Sequence, residues 1–464
     1  MKISATRHQR TPLLIATATL LLGLACSRND PARPPSTEPD RVVLTWAQRP
    51  TDSQSVTWRT ADSQAEGSVQ YTIASGAPDL ASLATTQAAT QQSLRLRDSE
   101  WNEEGPEVVR YHSTTLEGLD PATTYAYRVG APDAWSEWHH FTTPDPEQPL
   151  RFLYFGDAQN GVLSHFSRVL RTAFATAPHA DFALYAGDLV NDGHYDLQWQ
   201  EWFDAGGWLH ATLPAVPATG NHEYRSFDRG RQGDKFLSML WRPQFELPVE
   251  SALPEELAET AYALPFDQAL VVVLDSNRWQ REQAVWLDER LAEPARWKIV
   301  AFHHPIYSNA GDRDNAALRD LWLPILQRHG VDLVLQGHDH TYSRGLGSAV
   351  PTDPGTTEEP GDFGPVFAVS VSGAKQYELA EEPWGNYPGT ELARAAENSQ
   401  LFQVITVEDD RLSYRAYLAH GELYDGFELL REESDEKRLV EITATPTSRR
   451  FDNTGSYTSG HWTK

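Results

Sequence analysis

The stretch Val331-Asp332-Leu333-Val334-Leu335-Gln336-Gly337-His338-Asp339-His340 decides how the chain is read. Its first six residues form an apolar run of the kind that makes a buried strand. Its last four place two histidines two residues apart just past the strand end, where both can face one cavity. Imidazoles so placed are good ligands for zinc, iron or manganese. A surface or hydrogen-bonded histidine pair has the same pattern, so the reading depends on what ligands the rest of the chain supplies.

Working outward, the same arrangement recurs. Arg151–Phe155, Phe182–Ala186, Leu270–Leu274 and Lys298–Phe302 read as further buried strands. Between them Phe166–Ala175, Asp196–Phe203, Gln280–Leu291 and Asn315–His329 read as helices, with Trp199, Trp202 and Phe203 as packing residues. This alternation predicts an α/β region with helices over a sheet, whose ligands lie outside the carboxyl ends of the strands. Polar groups stand at those ends: Gly156-Asp157-Ala158-Gln159, Gly187-Asp188-Leu189-Val190-Asn191, Gly220-Asn221-His222-Glu223 after Leu213–Thr219, and His303-His304-Pro305. Taken singly, each has a plain explanation as a turn or a strand end. Taken together, two or three Asp, one Asn and three His form the mixed oxygen and nitrogen set of a two-metal hydrolytic site. The glycines let the backbone turn sharply and let a metal or phosphate come close.

Before this region, Arg41–Thr143 alternates like an antiparallel sheet, in short runs such as Val42–Trp46, Ser55–Trp58, Ser68–Tyr71 and Thr124–Val129. It predicts an all-β fibronectin- or immunoglobulin-like sandwich with Trp46 and Trp58 in its core and Thr86–Arg110 as a long polar loop. Three prolines in Thr143–Pro149 mark the boundary. Beyond Asp362, Val366–Val371, Leu401–Val407 and Leu412–Tyr417 read as strands of a second sheet, and the mixed charges from Arg431 as a solvated helix with a loose tail.

The chain has 464 residues, 65 acidic against 39 basic, and a net charge of −26. That balance disfavours nucleic acid and anionic membranes as general partners, while a metal centre still permits a small phosphate ester. The single cysteine, Cys26, excludes an internal disulfide. Lys2, Arg7 and Arg10 precede the short apolar run Leu13–Ala25, and Leu24-Ala25-Cys26 resembles the end of a bacterial lipoprotein leader. The expectation is export and lipid anchoring at the cell envelope through Cys26, with a plain secretory leader as the alternative. The resulting divisions are a leader over 1–25, a linker over 26–40, the sandwich over 41–143, the α/β region over 150–430 and a tail over 431–464.

The order Gly-Asp, Gly-Asp, Gly-Asn-His-Glu, His-x-Pro, Gly-His-x-His resembles the calcineurin-like metallophosphoesterase superfamily, and more closely the purple acid phosphatases. The preceding sandwich, Tyr342-Ser343-Arg344 after His340, and Val369–Tyr377 strengthen that likeness, which runs over roughly Arg41–Leu430. It implies an α/β metallophosphoesterase β-sandwich flanked by helices. It also implies two metal ions (Fe, Zn or Mn) and hydrolysis of phosphate monoesters by a metal-bound hydroxide. By position, Asp157 and His340 would bind the first metal, Asp188 would bridge both, and Asn221, His303 and His338 would bind the second. His222 would contact the phosphate and protonate the leaving group, and His304 would line the pocket.

Two positions depart from the family pattern. Asn191 stands where purple acid phosphatases carry the tyrosine that ligates Fe(III), and Gln159 where many superfamily members carry histidine. Gln159 through its carbonyl, or water, would complete the first site. No intense visible absorption is expected, and a purple protein would require another tyrosine such as Tyr195 or Tyr342. A phosphodiesterase or nucleotidase at the same site is the alternative activity. A surface binding protein with a degenerate catalytic domain is the alternative of another class. Specificity is expected from the loops Tyr224–Leu240, Ser308–Asn315 and Gly345–Gly364.

Overall fold

Two seven-stranded sheets carry the α/β region. In the first, Leu150–Phe155 is third from one edge and pairs in parallel with Phe182–Tyr185, which pairs in parallel with Ala215–Pro217. On its other side it runs antiparallel to Leu401–Val407, followed by Arg411–Leu418, Leu423–Arg431 and Lys437–Glu441. The second sheet takes Ala269–Val273, Trp297–Ala301, Leu333–Gln336 and Val366–Val369 in parallel, with Tyr262–Pro265 on one edge and Tyr342–Leu346 and Glu391–Ala396 beyond the other. The protein is seen here as a computed structural model that describes residues 34–96, 107–225, 235–311, 313–347, 364–432 and 436–442. The leader with Cys26, most of the linker, parts of all three specificity loops and most of the tail lie outside these residues.

The strands are apolar on both faces because both faces are covered. Phe152, Tyr154, Leu184, Ile299, Leu335 and Ile405 belong to one core that takes in both sheets, while Leu153 points to the opposite, helix-covered face of its strand. Helices Ser167–Thr176 and Asp196–Gly206 belong with the first sheet, and Gln280–Leu291 and Ala316–Arg328 cover the second. Trp199 and Trp202 are fully buried, as packing residues should be. Tyr154 joins the sheets: its hydroxyl donates to the Gln336 carbonyl and accepts from the Gln336 amide at 3.0 Å. That bridge sits one residue before Gly337.

The N-terminal region is a two-sheet β-structure. Asp40–Thr45, Ser53–Ala61, Val108–Glu117 and Thr90–Arg95 form one sheet. Thr85–Ala88, Ser68–Ile73, Thr124–Ala131, Ala134–Trp135 and His139–Thr142 form the other. Trp58 lies in the core between them with Leu44, Val56, Tyr127 and Phe141. Trp46 does not. Its ring packs edge-on to Phe182 and Phe266 of the α/β region at 6.0 and 5.8 Å, so it is an inter-region contact.

Two sequence expectations are corrected. The segment read as a long polar loop, Thr86–Arg110, holds most of two edge strands, Thr85–Ala88 and Thr90–Arg95, one in each sheet. Its strands hide because they are exposed on both faces, with Leu94 the one buried residue of the second; neighbouring strands supply the backbone partners. The charge run from Arg431 does not start a helix. It closes a hairpin from Leu423–Arg431 to Lys437–Glu441. Lys437 Nζ reaches Asp332 Oδ1 at 2.6 Å and Arg431 Nη2 reaches it at 3.3 Å, so the charges serve a buried carboxylate.

Candidate metal centre

Five loops meet beyond the carboxyl ends of the parallel strands. They begin at Gly156, Gly187, Gly220, Phe302 and Gly337, each a few residues past its strand. Close approach explains two of the glycines. Gly187 has φ +90°, and a Cβ there would lie 2.7 Å from His303 Nδ1. A Cβ on Gly337 would lie 2.4 Å from Asp157 Oδ1. Three candidate ligands are themselves in left-handed backbone conformation: Asp188 (φ 51°), His338 (φ 75°) and His340 (φ 50°). Such residues cost about 1–3 kcal/mol each and persist where the surroundings hold them for a purpose.

The side chains form two groups that share Asp188. Asp188, His303 and His338 bring ligand atoms within 4.8 Å of one another, and so do Asp157, Asp188 and His340. Asn221 joins the first group, with Oδ1 3.3 Å from His303 Nε2. Backbone carbonyls set the tautomers: His303 Nδ1 donates to Ala186 at 2.8 Å and His340 Nδ1 to Lys375 at 3.0 Å, which turns each Nε2 lone pair inward. His338 presents Nδ1, 3.1 Å from His303 Nε2. Two buried oxygens, Asp157 Oδ2 and Gln159 Oε1, have no hydrogen-bond partner. Orphaned acceptors beside converging imidazoles fit cations, and the O/N donor mixture suits zinc, iron or manganese.

The electrostatics agree. Burial pushes the Asp157 carboxyl up to about 7, with His303 opposing and the Asp188 charge reinforcing. Burial would raise Asp188 too, but His222 and His303 hold it well below the usual carboxylate range. Burial would lower His303, yet Asp188 and Asp157 bring it up to about 9. Burial holds His340 far below the ordinary imidazole value and His304 down to about 3, so both are neutral. Near neutral pH the Asp188 carboxylate is therefore balanced by the protonated His303, and Asp157 is poised to give a further negative charge to a cation.

The remaining candidates fall around this centre. His222 donates its backbone amide to Asp188 Oδ1 at 2.9 Å and its Nδ1–H to the Asn191 carbonyl, with Nε2 3.7 Å from Asp188 Oδ2. Asn191 therefore acts through its backbone. Gln159 Nε2 lies 2.7 Å from Asp188 Oδ2 and 3.1 Å from His340 Nε2. His304 belongs to neither donor group, although its ring packs against His338 at 4.4 Å and His303 at 5.0 Å. Its Nδ1 pairs with Ser276 Oγ at 2.8 Å, and it lines a cavity of about 900 Å³ together with Asn221, Ser276, Asn277, Lys235 and Arg278. Tyr342 is unavailable as a ligand, because its hydroxyl donates to Asp425 at 2.7 Å and also meets Tyr414.

Sequence reasoning passed over Glu223 and Asp339. The Glu223 carboxylate accepts the amides of Asp188 (3.0 Å), Leu189 (3.0 Å) and Gly220 (2.7 Å), clamping two ligand loops together. Burial and the nearby Asp188 push it up to about 8 against those donors. Asp339, between the two histidines, accepts from Ser308 Oγ at 2.8 Å and the Asn309 amide at 2.9 Å. A carboxylate inside a ligand motif, at a position that cannot face the metal, was the available signal for both.

Residues 39–143 match the purple acid phosphatase N-terminal domain, and residues 150–342 match the calcineurin-like phosphoesterase family. An uncharacterized protein of Mycobacterium tuberculosis is 29% identical over 299 residues, covering 55% of this chain and 54% of its own length. Purple acid phosphatase 18 of Arabidopsis thaliana is 25% identical over 303 residues, covering 62% of each. The chain thus spans somewhat over half the length of these relatives. Among solved structures, purple acid phosphatase PPD1 from yellow lupin seeds has a TM-score of 0.66 at 20% identity, covering 90% of this chain and 78% of its own. PhoD has a TM-score of 0.61 at 14% identity, covering 90% and 95%. With both domain models matched in order and the same architecture, the chain belongs to the calcineurin-like metallophosphoesterases, as a purple acid phosphatase-like member.

Proposed function

We propose that this protein hydrolyses phosphate monoesters at a two-metal centre held by Asp157, Asp188, Asn221, His303, His338 and His340. The observation that carries the reading is the pair of donor groups sharing Asp188. When bound, metal ions there supply Lewis acidity that neutralises phosphate charge and makes a nucleophile available near neutral pH. The chain's own residues do the rest. Asn221 and His304 face the cavity and orient the ester. His222 keeps Nδ1–H on the Asn191 carbonyl, which leaves Nε2 3.7 Å from the Asp188 carboxylate; as the imidazolium the ring holds a second proton on Nε2, and that is the proton given to the departing alkoxide. Glu223 holds the Asp188 and Gly220 loops in register while charge moves.

A diesterase or nucleotidase reading rests on the same cavity, whose 900 Å³ exceeds a phosphate and whose wall includes Lys235, Arg278 and Arg281. Metal quantification on purified protein, with a panel of p-nitrophenyl phosphate, its bis ester and nucleotides, separates these activities. A centre that takes up no metal, with no hydrolysis of any phosphoester, would leave the surface binding role instead. Lipid anchoring through Cys26 belongs to the same proposal. Palmitate incorporation lost in Cys26→Ser is the expected result.

A further inference from the structure

The contact between the N-terminal sandwich and the α/β region contains an ion cluster that costs more than an apolar contact would. Arg41 Nη1 and Nη2 grip Asp196 Oδ1 and Oδ2 at 2.6 and 2.7 Å, with side chains 3% and 1% exposed. Arg59 adds a third bond to Asp196 Oδ2 at 3.0 Å and is itself held by Asp40 at 2.8 and 2.6 Å. Buried ion pairs contribute little net stability compared with apolar packing. The backbone is bent to make this one. Arg41 has φ 53°, and the pairing register of its strand shifts between Asp40 and Val43, the kind of irregularity that re-aims a side chain.

Asp196 is the first residue of helix Asp196–Gly206, and that helix grips the loop before it. Gln198 Oε1 accepts the Asp192 amide at 2.7 Å, and Trp199 Nε1 donates to the Gly193 carbonyl at 2.8 Å. The Gly193 amide in turn donates to the His222 carbonyl at 3.0 Å, and the Asn191 carbonyl accepts His222 Nδ1–H. The ion cluster, the first turn of the helix and these side-chain and backbone hydrogen bonds therefore connect the sandwich to the ring of His222.

We infer that the sandwich is a strut for His222: Arg41 and Arg59 fix Asp196, the helix fixes the Asn191–Gly193 loop, and the loop fixes the imidazole. Arg41, Asp196 and Gln198 are positioning residues. The inference rests on the acid role proposed for His222. It gives the N-terminal region a share in the chemical step rather than in substrate capture.

The test uses the full, metal-loaded chain with Arg41→Lys, which keeps the charge and loses the fork, and Gln198→Leu, which leaves the ion cluster intact. Misplacing the ring should lower kcat about tenfold on glycerol phosphate, whose alkoxide needs a proton, with KM little changed. On p-nitrophenyl phosphate, whose leaving group needs none, kcat should fall less than about threefold. In a His222→Ala background either strut variant should have almost no further effect. A second readout is independent of turnover. In 15N-histidine-labelled protein the Nδ1–H resonance of His222, assigned by its loss in His222→Ala, should broaden in both strut variants. Equal losses on both substrates, full additivity with His222→Ala, or an unchanged resonance would overturn the strut. If the resonance broadens while His222→Ala leaves both rates intact, the strut stands and the acid role of His222 is what fails.

Discussion

The two halves of the centre are built differently. The half with Asn221, His303 and His338 borders the cavity, and Asn221 lines it. The half with Asp157, Gln159 and His340 is sealed, at 0%, 0% and 2% exposure. In the open half His303 is itself buried, and the approach is through Asn221 and the part-exposed His338. In the sealed half, the Gln159 amide nitrogen spends its hydrogens on Asp188 Oδ2 and His340 Nε2, while its carbonyl oxygen goes unpartnered. The same two acceptors are the atoms a metal needs. A cation in the sealed half would have to displace those hydrogen bonds and turn the amide over, so this half is expected to bind metal more weakly. Burial makes an anionic site attractive to a cation, but it also makes a neutral donor beside it hard to dislodge.

The shared residue should be the most sensitive. Asp188→Asn is expected to leave the far-UV circular dichroism unchanged and to abolish turnover, with metal content falling in both halves. Substantial activity in this variant would remove the two-metal reading altogether. Next come the private ligands. His340→Ala should lose the sealed-half metal and keep the open-half one, and His338→Ala the reverse. Both should abolish turnover, and metal-to-protein ratios distinguish them. If the two variants lost the same ion, the halves would not be separable.

Gln159→His targets the asymmetry itself. Replacing the capping amide by an imidazole should tighten the weaker site by about ten- to a hundredfold, read by competition with a chelator. No change would mean that the amide does not hold that half back. The smallest effect is in protons. Without metal, Asp157 titrates at about 7 and His303 at about 9. At pH 6 both are protonated and must be deprotonated to ligate, so loading should release about two protons; at pH 8 Asp157 is already ionised and about one should be released. Titration calorimetry in buffers of different ionisation enthalpy reads these numbers. The sign follows from both folded-state values lying above the ordinary ones, so affinity falls as pH drops. Iron loading should give no intense visible band, since Asn191 replaces a tyrosine and the Tyr342 hydroxyl is committed to Asp425.

The fold and most of the candidate ligands were legible because the signal is local. An apolar run followed by glycine and a ligand type marks a strand end within ten residues, and helix Gln280–Leu291 was readable to the residue for the same reason. What was illegible is long-range. The edge strands Thr85–Ala88 and Thr90–Arg95 carry almost no apolar pattern and exist through their partners. The charges at Arg431 and Lys437 look like a solvated run until Asp332, about a hundred residues earlier, is placed beneath them. Trp46 reads as sandwich core from its alternation, yet it packs on Phe182 and Phe266.

By itself the sequence determined which residue types stand at the strand ends and in what order, because strand, glycine and ligand are neighbours along the chain. Only the tertiary structure decided which imidazole nitrogen faces inward, that Gln159 caps two ligand atoms, that Glu223 ties two loops together, and that Arg41 reaches Asp196 across 155 residues. Those choices depend on carbonyls, carboxylates and guanidinium groups delivered by distant elements, and their directions exist only once both sheets and the sandwich have packed.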